Sequence, residues 1–521
     1  MSEVKREHWG STWGFVMAAA GSAIGLGNIW RFPYITGMNG GGAFVLVYLC
    51  CMLLIGLPVM LAEFAMGRAS QSDPIGAYNY FKKGSELVSR CFAGVGLMLG
   101  AMIAIFSQNY GLAAVIVLIS LAVLRWGFTV AGFFCSLVAL LILSYYAVIG
   151  GWTLIYTWDA FAGNLNFANK EEAGTAFGMM AANGKLCTIG MLIYLLVCAG
   201  VCLGGVKKGV ELASKLLMPL LFVLVLVLVV RSVTLPGASE GVKFLLKPDF
   251  SRINEKSMLD ALGHAFYSLS LGMGILITYG SYLPRDRNIL SSAFSIAFFD
   301  TLLAMLAGLA IFPAVFAMKL SPEQGPSLIF QILPITFNAI PGSLGWLWNG
   351  LFFILLAIAA LTSGISLLEC GTATVMQHLK LSRRTAVIGL TVVIGAFALL
   401  SSFGVSGWDN FKDLEAMLTK LFGEVKGSFL DELDYICSNW ILPLNGVVIA
   451  LFVGWIWGVG KCSQELCNMH GHTPHSGEAA AGIRSKLNMP LSVKAWSIFI
   501  RFIAPLLTLL TFLAAIGVIK L

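Results

Sequence analysis

One carboxylate in this sequence interrupts a long apolar stretch. Asp300 lies in the run AFFDTLL, residues 297–303, in which its neighbours are almost all apolar. A charged side chain at membrane depth is costly and is by default a candidate functional group. The alternative is a structural acid paired with a polar group of a neighbouring helix. Burial at such a cost favours the functional interpretation.

Two segments rich in glycine and hydroxyl side chains also interrupt apolar stretches. They read GSAIGLGN at 21–28 and SLSLGMG at 268–274. Glycine weakens a helix, and the freed backbone groups cannot face lipid, so they must line a site. Close packing of helices through small residues is the alternative. Because the two segments occupy matching places five spans apart, they favour an inverted-repeat transporter with a site near the bilayer midplane.

Composition indicates that the elements holding these residues are membrane-spanning helices. The chain has 521 residues, of which 58% are hydrophobic and 11% charged, whereas soluble proteins carry about 25% charged residues. Apolar runs predict eleven spans and a shorter apolar pair near 91–106 and 110–125. The spans are predicted near 11–36, 42–68, 129–160, 186–204, 209–232, 258–283, 288–318, 345–377, 384–403, 433–459 and 493–519.

The distribution of charge predicts orientation and excludes several function classes. Lysine and arginine concentrate in alternate loops, which predicts a cytoplasmic N-terminus in a multi-pass inner (plasma) membrane protein. The net charge of +7 is spread over these loops and does not indicate nucleic-acid binding. A nucleotide-binding Gly-x-x-x-x-Gly-Lys-Ser/Thr loop is absent, as is a plausible Ser-His-acid set, so neither an ATP-driven pump nor an enzyme is expected.

Several motifs, in order, resemble the neurotransmitter:sodium symporter family, particularly its bacterial amino acid transporters. They are HWG (8–10), GSAIGLGNIWRFP (21–33), NGGGAF (39–44), EFAMGR (63–68), SYYAVIGGW (144–152), FYSLSLGMG (266–274), LTS (361–363) and DELDY (431–435). The resemblance implies an all-α membrane protein with the LeuT fold, a 5+5 inverted repeat whose helices 1 and 6 are broken. It implies eleven core transmembrane helices and an extra helical hairpin between helices 2 and 3.

The same resemblance implies the division of the chain. Residues 1–521 form a single transporter domain, with a first inverted repeat at 8–235 that includes the insert 88–127. A second repeat covers 255–459, and an additional C-terminal transmembrane helix covers 493–519. The insert is either a peripheral hairpin or a partner-binding element. The oligomeric state is left open.

Two bound sodium ions are implied by the resemblance. Sodium one would be held by Ala23, Asn28, Ser268 and Asp300, with the substrate carboxylate completing its shell. Sodium two would be held by Gly21, Ile24, Ala359, Thr362 and Ser363. All of these supply oxygen, which suits a hard cation. By themselves, Thr362 and Ser363 would be interpreted as hydroxyls bonded to their own helix.

Chloride is not expected to be required. Chloride-dependent members of the family carry asparagine at the position of Asp300, with chloride bound nearby. The resemblance therefore implies that Asp300 supplies the negative charge itself. Proton counter-movement could accompany the empty return as the acid titrates.

The resemblance also implies a substrate pocket and a substrate class. Amine-selective relatives carry an aspartate at the position of Gly25, so glycine there argues for an amino acid over a monoamine. An apolar side-chain subsite predicts a neutral hydrophobic or aromatic L-amino acid. The lining residues would be Ser22, Ala23, Leu26, Gly27, Ile142, Tyr146, Tyr267, Ser268, Ser270, Met273, Ser363 and Leu367.

Gates on both sides of this pocket are implied as well. Arg31 and Asp434 would close above Tyr146 and Tyr267 as the outer gate. The inner gate would use Arg6, near Tyr282 and under Trp9, while Glu63 would brace the broken sixth helix.

Three positions leave alternatives open. Gln377 occupies the position of the acid that usually pairs with Arg6 in the family. A neutral partner should weaken the closed inner gate unless another acid substitutes. His264 replaces a usual glutamine, as either a pH-responsive group or a neutral hydrogen-bonding histidine. The predicted loop before the last span is either a soft-metal site or a plain solvated loop, and it carries Cys462, Cys467, His470, His472 and His475.

The sequence thus predicts a sodium-coupled symporter that imports an amino acid across the lipid bilayer by alternating access. The alternative is a membrane sensor that binds an amino acid without transporting it. Intact sodium ligands and two gates weigh against a sensor, which needs neither.

Overall fold

The regular structure of the protein is helical. The computed structural model describes residues 6–81, single residues and short stretches between 86 and 101, and then 110–319, 328–339, 344–405, 428–467 and 491–515. Every regular element in these ranges is a helix. Nine of the described helices are long and apolar enough to cross a membrane: Gly42–Ser70, Thr129–Phe161, Gly184–Leu203, Val206–Val233, Ile289–Ala317, Gly345–Leu379, Arg383–Val405, Phe429–Cys467 and Val493–Ala515.

The first broken helix is interrupted inside the glycine-rich segment at 21–28. Its first half is Thr12–Ala23, begun by Ser11, whose side chain accepts a hydrogen bond from the Gly14 N–H. Ile24 leaves the helical region at φ −77° and ψ 86°. The second half begins with Gly27–Arg31 and continues directly into Phe32–Met38.

The second broken helix consists of Glu255–Ser268 and Ile275–Ser281. Between them, Ser270, Gly272 and Gly274 have φ angles of +54°, +75° and +72°. Glycine adopts this left-handed region without strain, which explains the alternation of glycine here. Ser270 is held in the same region by its side chain, since its Oγ donates to the Ser22 carbonyl over 3.0 Å.

Shorter helices cover the loops. Tyr110–Trp126 coincides with the second half of the predicted hairpin, whereas most of the first half lies outside the described residues. The others are Pro74–Tyr80, Lys170–Ala182, Ala238–Leu246, Leu328–Ile332 and Leu333–Asn338.

One predicted boundary is wrong, with a consequence for the proposed metal cluster. The tenth predicted span, 433–459, is the helix Phe429–Cys467, which runs eight residues further. Cys462 is buried inside this helix and does not lie in a solvated loop. The three histidines at 470, 472 and 475 lie outside the described residues, and within the described ones no group of three His, Cys, Asp or Glu could hold a metal.

Two long helices flank both breaks. Thr129–Phe161 and Gly345–Leu379 pack along each other, and Gly345–Leu379 also packs on both broken helices. The packing of these four elements brings the two interruptions together in the buried interior.

Candidate functional site

A small cavity lies between the two breaks. All twelve residues predicted for the pocket line it, together with Gly25 and Ile275. Its volume is about 30 Å³. The structure therefore brings together residues from four separate parts of the sequence around one cavity.

One wall of this cavity is polar backbone. The Leu26 N–H donates to Tyr146 Oη over 3.2 Å, and the Gly25 N–H donates to Asn28 Oδ1 over 3.4 Å. These N–H groups lack helical partners because the helix is interrupted. Backbone N–H groups at a helix start suit a carboxylate.

The opposite wall is apolar. Ile142, Met273 and Leu367 are 2%, 4% and 3% exposed. No charged side chain is among the fourteen lining residues. An apolar ligand side chain therefore fits this wall, whereas a charged one would meet no partner of opposite sign.

Gly25 lies close to the helix that faces it. A Cβ at this position would be 2.5 Å from Ser363 Oγ and 3.1 Å from Tyr146 Oη. Only a residue without a side chain leaves both hydroxyls where they are.

Asp300 lies at the centre of a buried cluster beside the cavity. Its Oδ1 accepts hydrogen bonds from Asn28 Nδ2 at 2.8 Å and Ser268 Oγ at 2.9 Å, and its Oδ2 from Tyr48 Oη at 3.1 Å. The side chain is fully buried and forms no ion pair with a described residue. A buried carboxylate with only neutral donors, next to further oxygen atoms, suits a small cation.

Tyr48 and His264 complete the surroundings of this cluster. Sequence reasoning missed Tyr48, although a tyrosine inside an apolar span was a usable signal. The His264 ring is buried, 5.1 Å from the Tyr48 ring and 5.8 Å from the Phe32 ring between centroids. Neither His264 nitrogen has a hydrogen-bond partner among the described residues.

A second group of oxygen atoms joins the first broken helix to Gly345–Leu379. Ser363 Oγ lies 3.1 Å from the Ser22 carbonyl and 3.5 Å from the Gly21 carbonyl. Thr362 Oγ1 lies 3.1 Å from the Ala359 carbonyl. These neutral oxygens, drawn from hydroxyls and carbonyls, also suit a hard cation.

A larger cavity of about 510 Å³ adjoins the small one and shares Leu26, Gly27, Tyr146 and Tyr267 with it. Arg31 and Asp434 line this space, which we call the outer cavity. The Arg31 guanidinium carbon is 4.9 Å from the centroid of the Tyr267 ring. Asp434 accepts from Tyr145 Oη at 2.8 Å and Ser438 Oγ at 3.0 Å. Among the described contacts, Arg31 and Asp434 do not pair with each other.

The opposite end of the broken helices is closed. The Trp9 N–H donates to the Tyr282 carbonyl at 3.2 Å, and its indole donates to the Tyr279 carbonyl at 3.0 Å. Arg6 donates to Gln377 at 2.8 Å and to Ser281, and lies 5.0 Å from the Tyr282 ring. Gln377 therefore contacts Arg6 as a neutral partner.

An acid that the sequence analysis missed contacts Tyr282, the ring over which Arg6 lies. Glu369 is fully buried and accepts 2.8 Å hydrogen bonds from Tyr282 Oη and from two nitrogens of Arg383. Arg383 also donates to Glu7 at 2.8 Å. Glu369 sits in an apolar run, as Asp300 does, and the same argument could have found it.

Glu63 and Asn445 hold the second break from two sides. Glu63 Oε1 accepts from the Gly272 N–H at 2.8 Å, and Asn445 Nδ2 donates to the Gly272 carbonyl at 2.8 Å. Both backbone groups of Gly272 are thus satisfied by side chains from neighbouring helices. The sequence analysis named Glu63 and missed Asn445.

Comparison with known proteins gives concordant matches. Residues 6–130 and 177–478 match the model of the sodium:neurotransmitter symporter family. The uncharacterized sodium-dependent transporter YhdH of Bacillus subtilis (strain 168) is 35% identical, with all of both chains covered. The mouse sodium- and chloride-dependent GABA transporter 2 is 24% identical, over 90% of this chain and 76% of its own.

A solved structure agrees with the fold. The crystal structure of MhsT in complex with L-phenylalanine matches with a TM-score of 0.76 and 38% identity. The match covers 98% of this chain and 100% of MhsT.

Proposed function

Because this chain belongs to the sodium:neurotransmitter symporter family, we propose that it imports a neutral, hydrophobic or aromatic L-amino acid with sodium by alternating access. The chain is a sodium-dependent, multi-pass membrane transporter with the LeuT fold. One observation carries the finer proposal: a cavity between two broken helices has non-helical backbone N–H groups on one wall and uncharged apolar side chains on another. An amino acid offers a carboxylate to the first and a side chain to the second.

The apolar wall supports the substrate class. Ile142, Met273 and Leu367 accept an aliphatic or aromatic side chain, and methionine adapts to different shapes. The related MhsT structure is a complex with L-phenylalanine, which has such a side chain. With glycine at position 25, the pocket has no carboxylate there that could pair with the amine of a monoamine.

The two oxygen clusters support two sodium ions. The first would use Asn28, Ser268 and Asp300 with the Ala23 carbonyl and the substrate carboxylate, which couples ion binding directly to substrate binding. The second would bind between the first broken helix and Gly345–Leu379, and so would hold them together. Because Asp300 carries its own negative charge, we propose that chloride is not required.

The gates support alternating access. The outer cavity reaches Tyr146 and Tyr267, while Trp9, Tyr282 and Arg6 close the other end. Closing the outer side would bring Arg31 to Asp434. We place the N-terminus in the cytoplasm and assign the two inverted repeats to 8–235 and 255–459.

The test is binding of radiolabelled leucine, phenylalanine, tryptophan, alanine, glutamate and dopamine to purified protein. Each is measured in sodium and in potassium, with chloride or gluconate as the anion. Binding of neutral apolar amino acids in sodium alone, equal in both anions, is expected. Binding that persists in potassium would contradict the sodium sites, and preferential binding of glutamate or dopamine would contradict the substrate class.

A further inference from the structure

An arginine inside the last spanning helix has no acidic partner among the described residues. Arg501 lies in the apolar run FIRFIAPLLTLL, residues 499–510, and is partly exposed. Its Nε donates to the Gly454 carbonyl at 3.1 Å, and its guanidinium carbon is 5.5 Å from the Trp455 ring centroid. No ion pair of the described chain involves Arg501. An arginine at this depth of the membrane costs free energy unless a polar or oppositely charged group lies beside it.

Its neighbourhood faces lipid. Trp455 and Phe502 are 57% and 53% exposed, and their rings lie 5.5 Å apart. Gly454 allows the approach of the two helices, because a Cβ there would be 3.2 Å from the Arg501 Cα. Among the described residues, the remaining guanidinium nitrogens have no hydrogen-bond partner beside these exposed rings, which leaves them available to a lipid headgroup.

The position along the helices identifies one side of the membrane. In Phe429–Cys467, Gly454 is twenty residues past the outer-cavity residue Asp434 and eleven before Glu465, whose carboxylate binds Arg68 at 2.6 Å. At 1.5 Å per residue the separation from Asp434 is about 30 Å, whereas Glu465 follows Gly458, whose φ of +89° interrupts the helix. Arg501 thus lies in the half of the membrane nearer Arg68, the side away from the outer cavity.

Two lysines continue the positive charge towards that surface. Lys461 and Lys494 are exposed and lie on Val459–Cys467 and Leu491–Ile498, which pack on each other beyond Gly454 and Arg501. Each is seven residues from the contact, which for Lys494 is about 10 Å along its helix, while Gly458, at φ +89°, interrupts the helix before Lys461. Together with Arg501 they form a basic surface on these two helices.

We propose that this basic surface binds the phosphate headgroup of an anionic phospholipid, with Arg501 as its principal ligand. A guanidinium binds phosphate oxygens through two parallel hydrogen bonds, and basic pockets between spanning helices select anionic headgroups. The long side chain lets the charge reach the headgroup level while the helix stays in the apolar layer. The exposed Trp455 ring packs beside the headgroup, where tryptophan is enriched.

The test is native mass spectrometry of the full chain in detergent, titrated with phosphatidylglycerol or with phosphatidylcholine of the same acyl chains. We expect one tighter site for phosphatidylglycerol, weakened about fivefold by Arg501→Gln, the effect of losing one cation. Arg501→Lys should retain part of the preference, which separates a charge effect from a folding effect. The matched control is Arg231→Gln, since Arg231 also lies over a tryptophan, 5.9 Å from the Trp348 centroid.

Three results would overturn the proposal: equal binding of both lipids, an unchanged preference in Arg501→Gln, or an equal loss in Arg231→Gln. Displacement of the lipid by millimolar inorganic phosphate would instead assign the basic surface to a free anion. These readouts need neither sodium nor substrate, so they do not depend on the transport proposal.

Discussion

Asn28 Nδ2 donates to Asp300 Oδ1 over 2.8 Å, and this contact joins the first broken helix to Ile289–Ala317 at the depth of the cavity. The same asparagine accepts from the Gly25 N–H. Its amide therefore connects the acid to the backbone wall of the pocket. A cation bound at Asp300 would therefore affect both this carboxylate and the backbone N–H groups that line the pocket.

Asp300→Asn tests whether this carboxylate supplies the negative charge that makes chloride unnecessary. Hydrogen bonds to a charged group contribute about 1.5–3 kcal/mol, so sodium-dependent substrate binding should weaken roughly tenfold or more in gluconate. Chloride should restore part of the binding, because an external anion would replace the lost charge. Radioligand binding in the two anions measures this.

Tyr48→Phe is the matched control for that variant. It removes one hydrogen bond to Asp300 but keeps the carboxylate. The loss should be smaller and equal in chloride and gluconate. If substrate binding to Asp300→Asn is also the same in chloride and in gluconate, the Asp300 carboxylate does not replace a bound chloride ion.

Thr362→Val tests the second oxygen cluster. Removing one hydroxyl ligand should raise the sodium concentration for half-maximal binding about fivefold, as expected for a loss of ~1 kcal/mol. Saturating sodium should restore substrate affinity, since Thr362 does not line the cavity. Thr372→Val is the control on the same helix, where the hydroxyl donates only to the Leu368 carbonyl. Equal effects in both variants would argue against an ion ligand at Thr362.

Asp434→Asn tests the outer gate. Weakening the closed state by ~1 kcal/mol should reduce uptake into proteoliposomes about fivefold. Equilibrium substrate binding in detergent should change much less, because the cavity itself is intact. Asp431→Asn is the comparison, since Asp431 lines the same outer cavity but binds the Ser428 N–H at 2.7 Å. Parallel loss of binding and uptake in Asp434→Asn would contradict a gating role.

Glu369→Gln tests the closed inner side. Removing one member of a buried ion pair destabilises a protein by about 3–5 kcal/mol, and we expect a loss near the lower end because Arg383 keeps its contact with the partly exposed Glu7. Thermal unfolding in detergent should show a clear loss of stability, partly recovered in the double variant with Arg383→Gln. Glu7→Gln should have an effect below about 1 kcal/mol, since its side chain is 37% exposed. Additive losses in the double variant would show that the pair is not coupled.

The sequence was informative where a local signal exists. The two breaks were predictable because glycine and hydroxyl residues interrupt apolar runs, and the motifs around them carry the family resemblance. Both breaks occur within the predicted segments, and the twelve predicted pocket residues line one cavity.

The missed residues depend on partners distant in sequence or on a weak local signal. Asn445 acts on a glycine 173 positions away, which no periodicity records. The Glu369–Arg383 pair joins two successive helices, so predicting it requires the angle at which these helices pack. The error at Cys462 has another cause: Val459–Cys467 is amphipathic, and a hydropathy argument ends the helix where the continuous apolar run ends.

The closeness of Gly25 to Ser363 has a consequence for how such a pocket can evolve. A side chain at position 25 displaces the Ser363 hydroxyl, which contacts the Gly21 and Ser22 carbonyls. A Gly25→Asp change towards amine recognition would therefore disturb the proposed ion ligands in the same step. Ligand preference and ion coupling are then not independent traits in this chain, and compensating changes around Ser363 would have to precede a shift in selectivity.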